Sequence, residues 1–116
     1  MFNLWLNGLR LIADRSSINA DKNDLSYINV EVIDKKGNVV PNINDLEITY
    51  EIEGNGSIAA VGNGNVADMS SFQAPHKKVY QGRGLVILRS NGTPGKITLK
   101  AHAKGLVSSL VEVKTK

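Results

Sequence analysis

A chain of 116 residues, 41% apolar and 22% charged, suits one globular domain around one core and excludes both a pair of cores and wholesale disorder. It has no cysteine, so disulfides, thiolate nucleophiles and thiolate metal sites are ruled out. The net charge of +3 conceals a split, because residues 1–58 carry five basic and nine acidic side chains (net −4) while residues 59–116 carry nine basic and two acidic (net +7).

The N-terminal "MFNLWLNGLRL" lacks the basic flank and small-residue cleavage site of a secretory signal, and no run approaches the roughly 18–20 apolar residues of a membrane helix. The chain therefore reads as soluble, with no membrane partner and any export signal upstream. Residues 1–8 read as a linker or N-terminal extension and residues 9–116 as the domain. A first strand spans about Leu9 to Ala13, followed by the polar turn "DRSSINADKND". In "LSYINVEVID", Ile28, Val30 and Val32 fall on one face and Asn29 and Glu31 on the other, the period-two pattern of a half-buried strand. "DKKGN" supplies a turn in which Gly37 or Asn38 suits positive φ.

After a short extended piece closed by Pro41, "LEITYEIEG" alternates most clearly, with Leu46, Ile48, Tyr50 and Ile52 against Glu47, Thr49 and Glu51. The Gly/Asn-rich "GNGSIAAVGNGN" allows at most a short strand from Ile58 to Val61. The stretch "SSFQAPHKKVYQGRG", residues 70–84, is too irregular for a strand or helix and reads as a long crossover between sheets. "LVILRS", "GKITLKAHA" and "LVSSLVEVKT" then alternate again, the last two joined by a hairpin near Lys104 and Gly105.

About seven short strands with a turn signal every ten residues or so predict an all-β fold, an antiparallel two-sheet sandwich of the immunoglobulin type. A small closed barrel is the alternative. In the sandwich the third of these strands pairs with the sixth, which sets Glu47, Glu51 and Glu53 across from Lys96 and Lys100. The charge split then becomes cross-strand pairing. Cations spaced singly along strands, with few aromatics beside them, argue against a nucleic-acid partner.

The opening half, "LIADRSSINADKNDLSYINVEVIDKKGNVVPN", resembles bacterial immunoglobulin-like domains of the invasin type, and "NGTPGKITLKAHAKGLVSSLVEV" fits the same class. The middle, "YEIEGNGSIAAVGNGN" with "SFQAPHKKVYQGRGLVILRS", resembles the C-terminal immunoglobulin-like module of glycoside hydrolase family 2 enzymes of the β-galactosidase kind. The resemblance implies a module at the end of a large bacterial glycosidase exported to the periplasm or cell surface. It also implies that the two catalytic carboxylates belong to a separate barrel domain, whose neighbourhood in the same polypeptide or an adjoining subunit would be this module's partner. No catalytic residue is carried onto this chain.

Glu47, Glu51 and Glu53 share a flat strand face with nothing to desolvate one carboxyl, so they read as solvated rather than catalytic. His76 and His102 lie on different elements and are too few for zinc. Asp21, Asn23, Asp24, Asp34 and Asn38 offer oxygens for calcium but lack the spacing of a calcium loop, and turn formation explains them. "NGS" at Asn55 and "NGT" at Asn91 match the glycosylation sequon. No cofactor or metal is expected. Trp5, Phe72 and Tyr80 are the aromatics available for weak glycan contact, which keeps a carbohydrate-binding or adhesion module as the alternative function. The expected docking loop comprises Phe72 tucked beneath it, Pro75 stiffening it, His76, Lys77, Lys78 and Arg83 turned outward, and Tyr80.

Overall fold

In the computed structural model the described residues are 6–41, 43–44, 46–62, 70–71, 76–79 and 81–116. Among the described residues there are ten strands: β1 (Leu6–Ala13), β2 (Ser17–Ile18), β3 (Leu25–Asp34), β4 (Glu47–Gly54), β5 (Gly56–Gly62), β6 (Ser70–Ser71), β7 (His76–Lys78), β8 (Arg83–Ser90), β9 (Gly95–His102) and β10 (Ser109–Thr115). They form two five-stranded sheets, ordered β1-β3-β8-β5-β6 and β2-β10-β9-β4-β7. This is the two-sheet sandwich expected, and β4 pairs antiparallel with β9 as that topology requires.

The extra strands beyond the expected seven are short edge pieces. β2 runs parallel to β10, aligning Ser17 with Lys114 and Ile18 with Thr115. Residues 70–84 depart from the irregular crossover expected of them: β6 extends the first sheet beside β5, and β7 extends the second beside β4. The crossover thus uses both edges it passes between. β1 begins at Leu6 rather than Leu9, because the Val107 amide donates to the Asn7 carbonyl and the Leu9 amide to the Val107 carbonyl. Residues 6–8 are therefore strand and not linker. β5 likewise runs longer than Ile58–Val61, since Gly56 and Ser57 still pair with Ser90 and Arg89.

Residues two apart on a strand share a face, so the inner faces interleave Ile28, Val30 and Val32 with Ile48, Tyr50, Val86, Leu88, Ile97, Leu99 and Val113, all buried. Each fully buried aliphatic side chain contributes roughly 1.5–3 kcal/mol by leaving water. Tyr50 lies against Gly84, where a Cβ would stand 3.1 Å from the phenol oxygen, and burial pushes the phenol's pKa up. Gly82 closes the crossover at φ +75°, with the position of a Cβ only 2.1 Å from the Val40 carbonyl oxygen, so no other residue fits. Its amide donates to the Ile43 carbonyl while its own carbonyl accepts from the Val32 amide, tying the crossover's end to the first sheet.

Candidate functional site

The expected docking loop is only partly in view. Phe72, Pro75 and Tyr80 lie outside the described residues, as does Trp5, so all three candidate glycan-contacting aromatics do as well. His76, Lys77 and Lys78 form β7, opposite Thr49, Ile48 and Glu47 respectively. The His76 Nδ1 is 3.2 Å from Glu47 Oε2. Lys77, expected to face outward, is half-buried, and both lysines are engaged within the chain. Arg83 donates to Glu31 Oε2 at 3.0 Å. The loop's charges are therefore spent largely on its own domain, and buried Val79 behind them anchors it through the hydrogen bond its amide donates to the Leu46 carbonyl.

The carboxylates on the outer face of the second sheet stand in water: the Glu47, Glu51 and Glu53 side chains are 52%, 61% and 68% exposed. Each meets a basic neighbour. Lys100 reaches Glu53 at 3.7 Å and His102 reaches Glu51 at 3.7 Å. Lys96, expected opposite the β4 glutamates, instead pairs with Glu112 on β10 at 2.9 Å, because β9 is central and has a neighbour on each side. Exposed pairs of this kind contribute about 0–1 kcal/mol each. Nothing there desolvates one carboxyl to make an acid of it. An open depression beside them is lined by Leu46, Glu47, Thr49, His102, Ala103 and Lys104.

His76 and His102 do come together in one row, flanking Thr49 from the strands on either side, although the sequence assigns them to distant segments. Each turns to its own glutamate, and among the described residues no three His, Asp or Glu side chains converge on a common point. The turn carboxylates are occupied too. Asp34 Oδ1 accepts from the Lys36 and Asn38 amides at 2.9 and 3.0 Å, and Asp21 Oδ1 accepts from the Asn23 amide at 2.8 Å. Asp24 accepts from Arg15 and from the Asn19 amide, and the Arg15 hydrogen bond, followed by that amide, holds its carboxyl below the usual carboxylate value. The Asn55 side chain braces the turn before β9 by donating to the Pro94 carbonyl at 3.0 Å.

The outer face of the first sheet carries what the sequence did not reveal. Glu31, placed outward by alternation, is buried because register sets Arg10 of β1 and Arg83 of β8 on either side of it. Arg10 Nε donates to Glu31 Oε1 at 2.8 Å and Arg10 Nη1 to the Gly37 carbonyl at 2.8 Å. Beyond this triad the face turns apolar. One cross-strand row holds Ile12, Asn29 and Leu85, and the next holds Tyr27, Ile87 and Ala60. Ile12 and Tyr27 are 45% and 42% exposed. Alternation placed Asn29 and Glu31 outside, but the hydrophobic composition of that outer face emerges only once three strands are laid in register.

These features define a two-sheet immunoglobulin-like module with solvated carboxylates, intramolecularly paired histidines and one apolar outer face. The chain belongs to the family described as glycoside hydrolase family 2 C-terminal domain 5, whose model matches residues 9–112. It is 39% identical over 105 residues to beta-galactosidase BoGH2A of Bacteroides ovatus, a match covering 90% of this chain and 12% of that protein. It is 32% identical over 109 residues to a beta-galactosidase of Thermoanaerobacter pseudethanolicus, covering 93% of this chain and 13% of the relative. The crystal structure of a glycosyl hydrolase family 2 member from Bacteroides cellulosilyticus superposes with a TM-score of 0.87 at 36% identity, over 96% of this chain and 14% of that one. The chain thus spans about an eighth of the curated relatives it matches.

Proposed function

We propose that this chain is a non-catalytic C-terminal accessory module, a spacer and docking unit, of a family 2 glycoside hydrolase that acts as a β-galactosidase on galactoside-containing glycans. The observation that carries this reading is coverage: a domain-length match accounts for nearly all of this chain and only 12% of the β-galactosidase it resembles. The side chains agree with it. Retaining glycosidases hold two carboxyls about 5–5.5 Å apart with one kept protonated by its surroundings. Here the β4 glutamates are half exposed or more and each faces a cation or histidine. The module's partners are then the catalytic portions of the same polypeptide or of a neighbouring subunit, and its location the periplasm or cell surface of a bacterium.

The test is an assay of a chromogenic β-galactoside with the 116-residue chain and with the longer polypeptide that carries it, alongside titration of galactosides and polysaccharides followed by Trp5 fluorescence. The longer polypeptide hydrolyses the substrate, while the chain alone neither hydrolyses it nor responds to sugars. Hydrolysis by the chain alone would discard the accessory role, and a saturable fluorescence response would replace it with carbohydrate binding.

A further inference from the structure

Resting on the accessory reading, we infer that the module docks through the outer face of its first sheet, not through the 70–84 crossover, and that the occupant is a neighbouring domain of the same polypeptide presenting an apolar patch with a carboxylate. Ile12, Tyr27, Leu85, Ile87 and Ala60 occupy adjoining cross-strand positions that run from the edge strand β1 across β3 and β8 to β5. Single exposed apolar residues are ordinary; here exposed Ile12 and Tyr27 sit in neighbouring rows with half-buried Leu85, Ile87 and Ala60, and a contiguous apolar patch of this kind marks a surface that another surface covers.

Charge identifies the occupant's chemistry. Arg89 lies on the same face, exposed, opposite Leu25 on one side and Ser57 on the other. Among the described residues it has no ion-pair or hydrogen-bond partner for its side chain. The other three arginines, Arg10, Arg15 and Arg83, each meet a carboxylate of this chain. An unpaired guanidinium beside an apolar patch fits a partner carboxylate at the rim of an apolar contact. The source is the same polypeptide because the relatives devote seven-eighths of their length to other parts, which bring covering surface at high effective concentration.

Hydroxyl-radical footprinting of the isolated chain and of the longer polypeptide decides the matter. Tyr27 and Ile12 are expected to label about tenfold more slowly in the longer polypeptide, while Leu110, 56% exposed on the opposite sheet, labels equally in both. Arg89→Glu in the longer polypeptide restores Tyr27 labelling roughly threefold, as loss of a rim charge should. Protection of Leu110 with Tyr27 and Ile12 unprotected would overturn the face assigned while leaving docking intact. No protection of either face would remove docking itself. Protection of Tyr27 that rises with concentration of the isolated chain would make a second copy the occupant and overturn the inference.

Discussion

The two outer faces of the sandwich are made by the same alternation and distribute their charges differently. On the second sheet, Glu47, Glu51 and Glu53 of β4 meet His76, His102 and Lys100, and Lys96 meets Glu112, each pair open to water. On the first sheet Arg10 and Arg83 close in a knot on Glu31, whose side chain is 11% exposed, and the next two rows are mainly apolar, with Asn29 among them and Arg89 beyond them. Dispersed exposed pairs favour correct strand pairing and keep a surface soluble. Concentrating charge at one end leaves the other end free to be covered. Strand alternation thus decides which residues leave the core, and cross-strand register decides what kind of surface they make.

The interior sets the scale for both faces. Ile97 is fully buried and its Cδ1 stands 2.4 Å from where a Gly56 Cβ would be, so Ile97→Ala opens a cavity between well-packed walls. Urea unfolding should show a loss of roughly 2–5 kcal/mol. Glu31→Ala tests the first face: two arginines lose their shared carboxylate but remain partly hydrated, and the expected cost is about 2 kcal/mol, against less than ~0.5 kcal/mol for Glu53→Ala on the second. Equal costs would erase the distinction between knot and ladder.

Glu51→Lys sharpens the comparison through salt. It sets a lysine directly opposite Lys100 in register, and should cost up to ~1 kcal/mol at low ionic strength and much less in ~1 M salt, where screening shortens to ~3 Å. The smallest effect lies off both faces, at Asp24 in the turn between β2 and β3. Its carboxyl is held below its ordinary value of 3.8 chiefly by the Arg15 hydrogen bond. A depressed value in the folded state contributes stability above that pH and loses it as pH falls through and below it. The Asp24→Asn variant should accordingly show a shallower acid limb in thermal unfolding than the parent chain, with little difference in shape near neutrality.

Much of this architecture is legible in the sequence because strand alternation is a property of the backbone. β3 occupies the "LSYINVEVID" segment from end to end, and β4, β9 and β10 fall within the alternating segments identified for them. β2, β6 and β7 were not legible, since two or three residues cannot display a period and their pairing is fixed by distant partners, as β2 is by β10. The charge split was read in outline, with Lys100 reaching Glu53, while Lys96 went to Glu112 because a central strand offers two neighbours. Glu31 eluded the pattern for a related reason. Its partners lie 21 and 52 residues away, and only a register brings Arg10 and Arg83 across it. The docking role assigned to residues 70–84 rested on irregularity and charge; the described part of that stretch spends its charge internally, and the apolar rows lie on β1, β3, β5 and β8.

The docking inferred above requires the first sheet to be covered within the longer polypeptide. Calorimetry of the longer polypeptide, with and without Tyr27→Glu, tests it most directly, because contact with a neighbour stabilises the form that makes the contact. With such docking the module unfolds at a higher temperature within the polypeptide than alone, and Tyr27→Glu abolishes the increment while barely moving the isolated chain. An increment that survives Tyr27→Glu intact, or a module that melts at the same temperature in both settings, would contradict it.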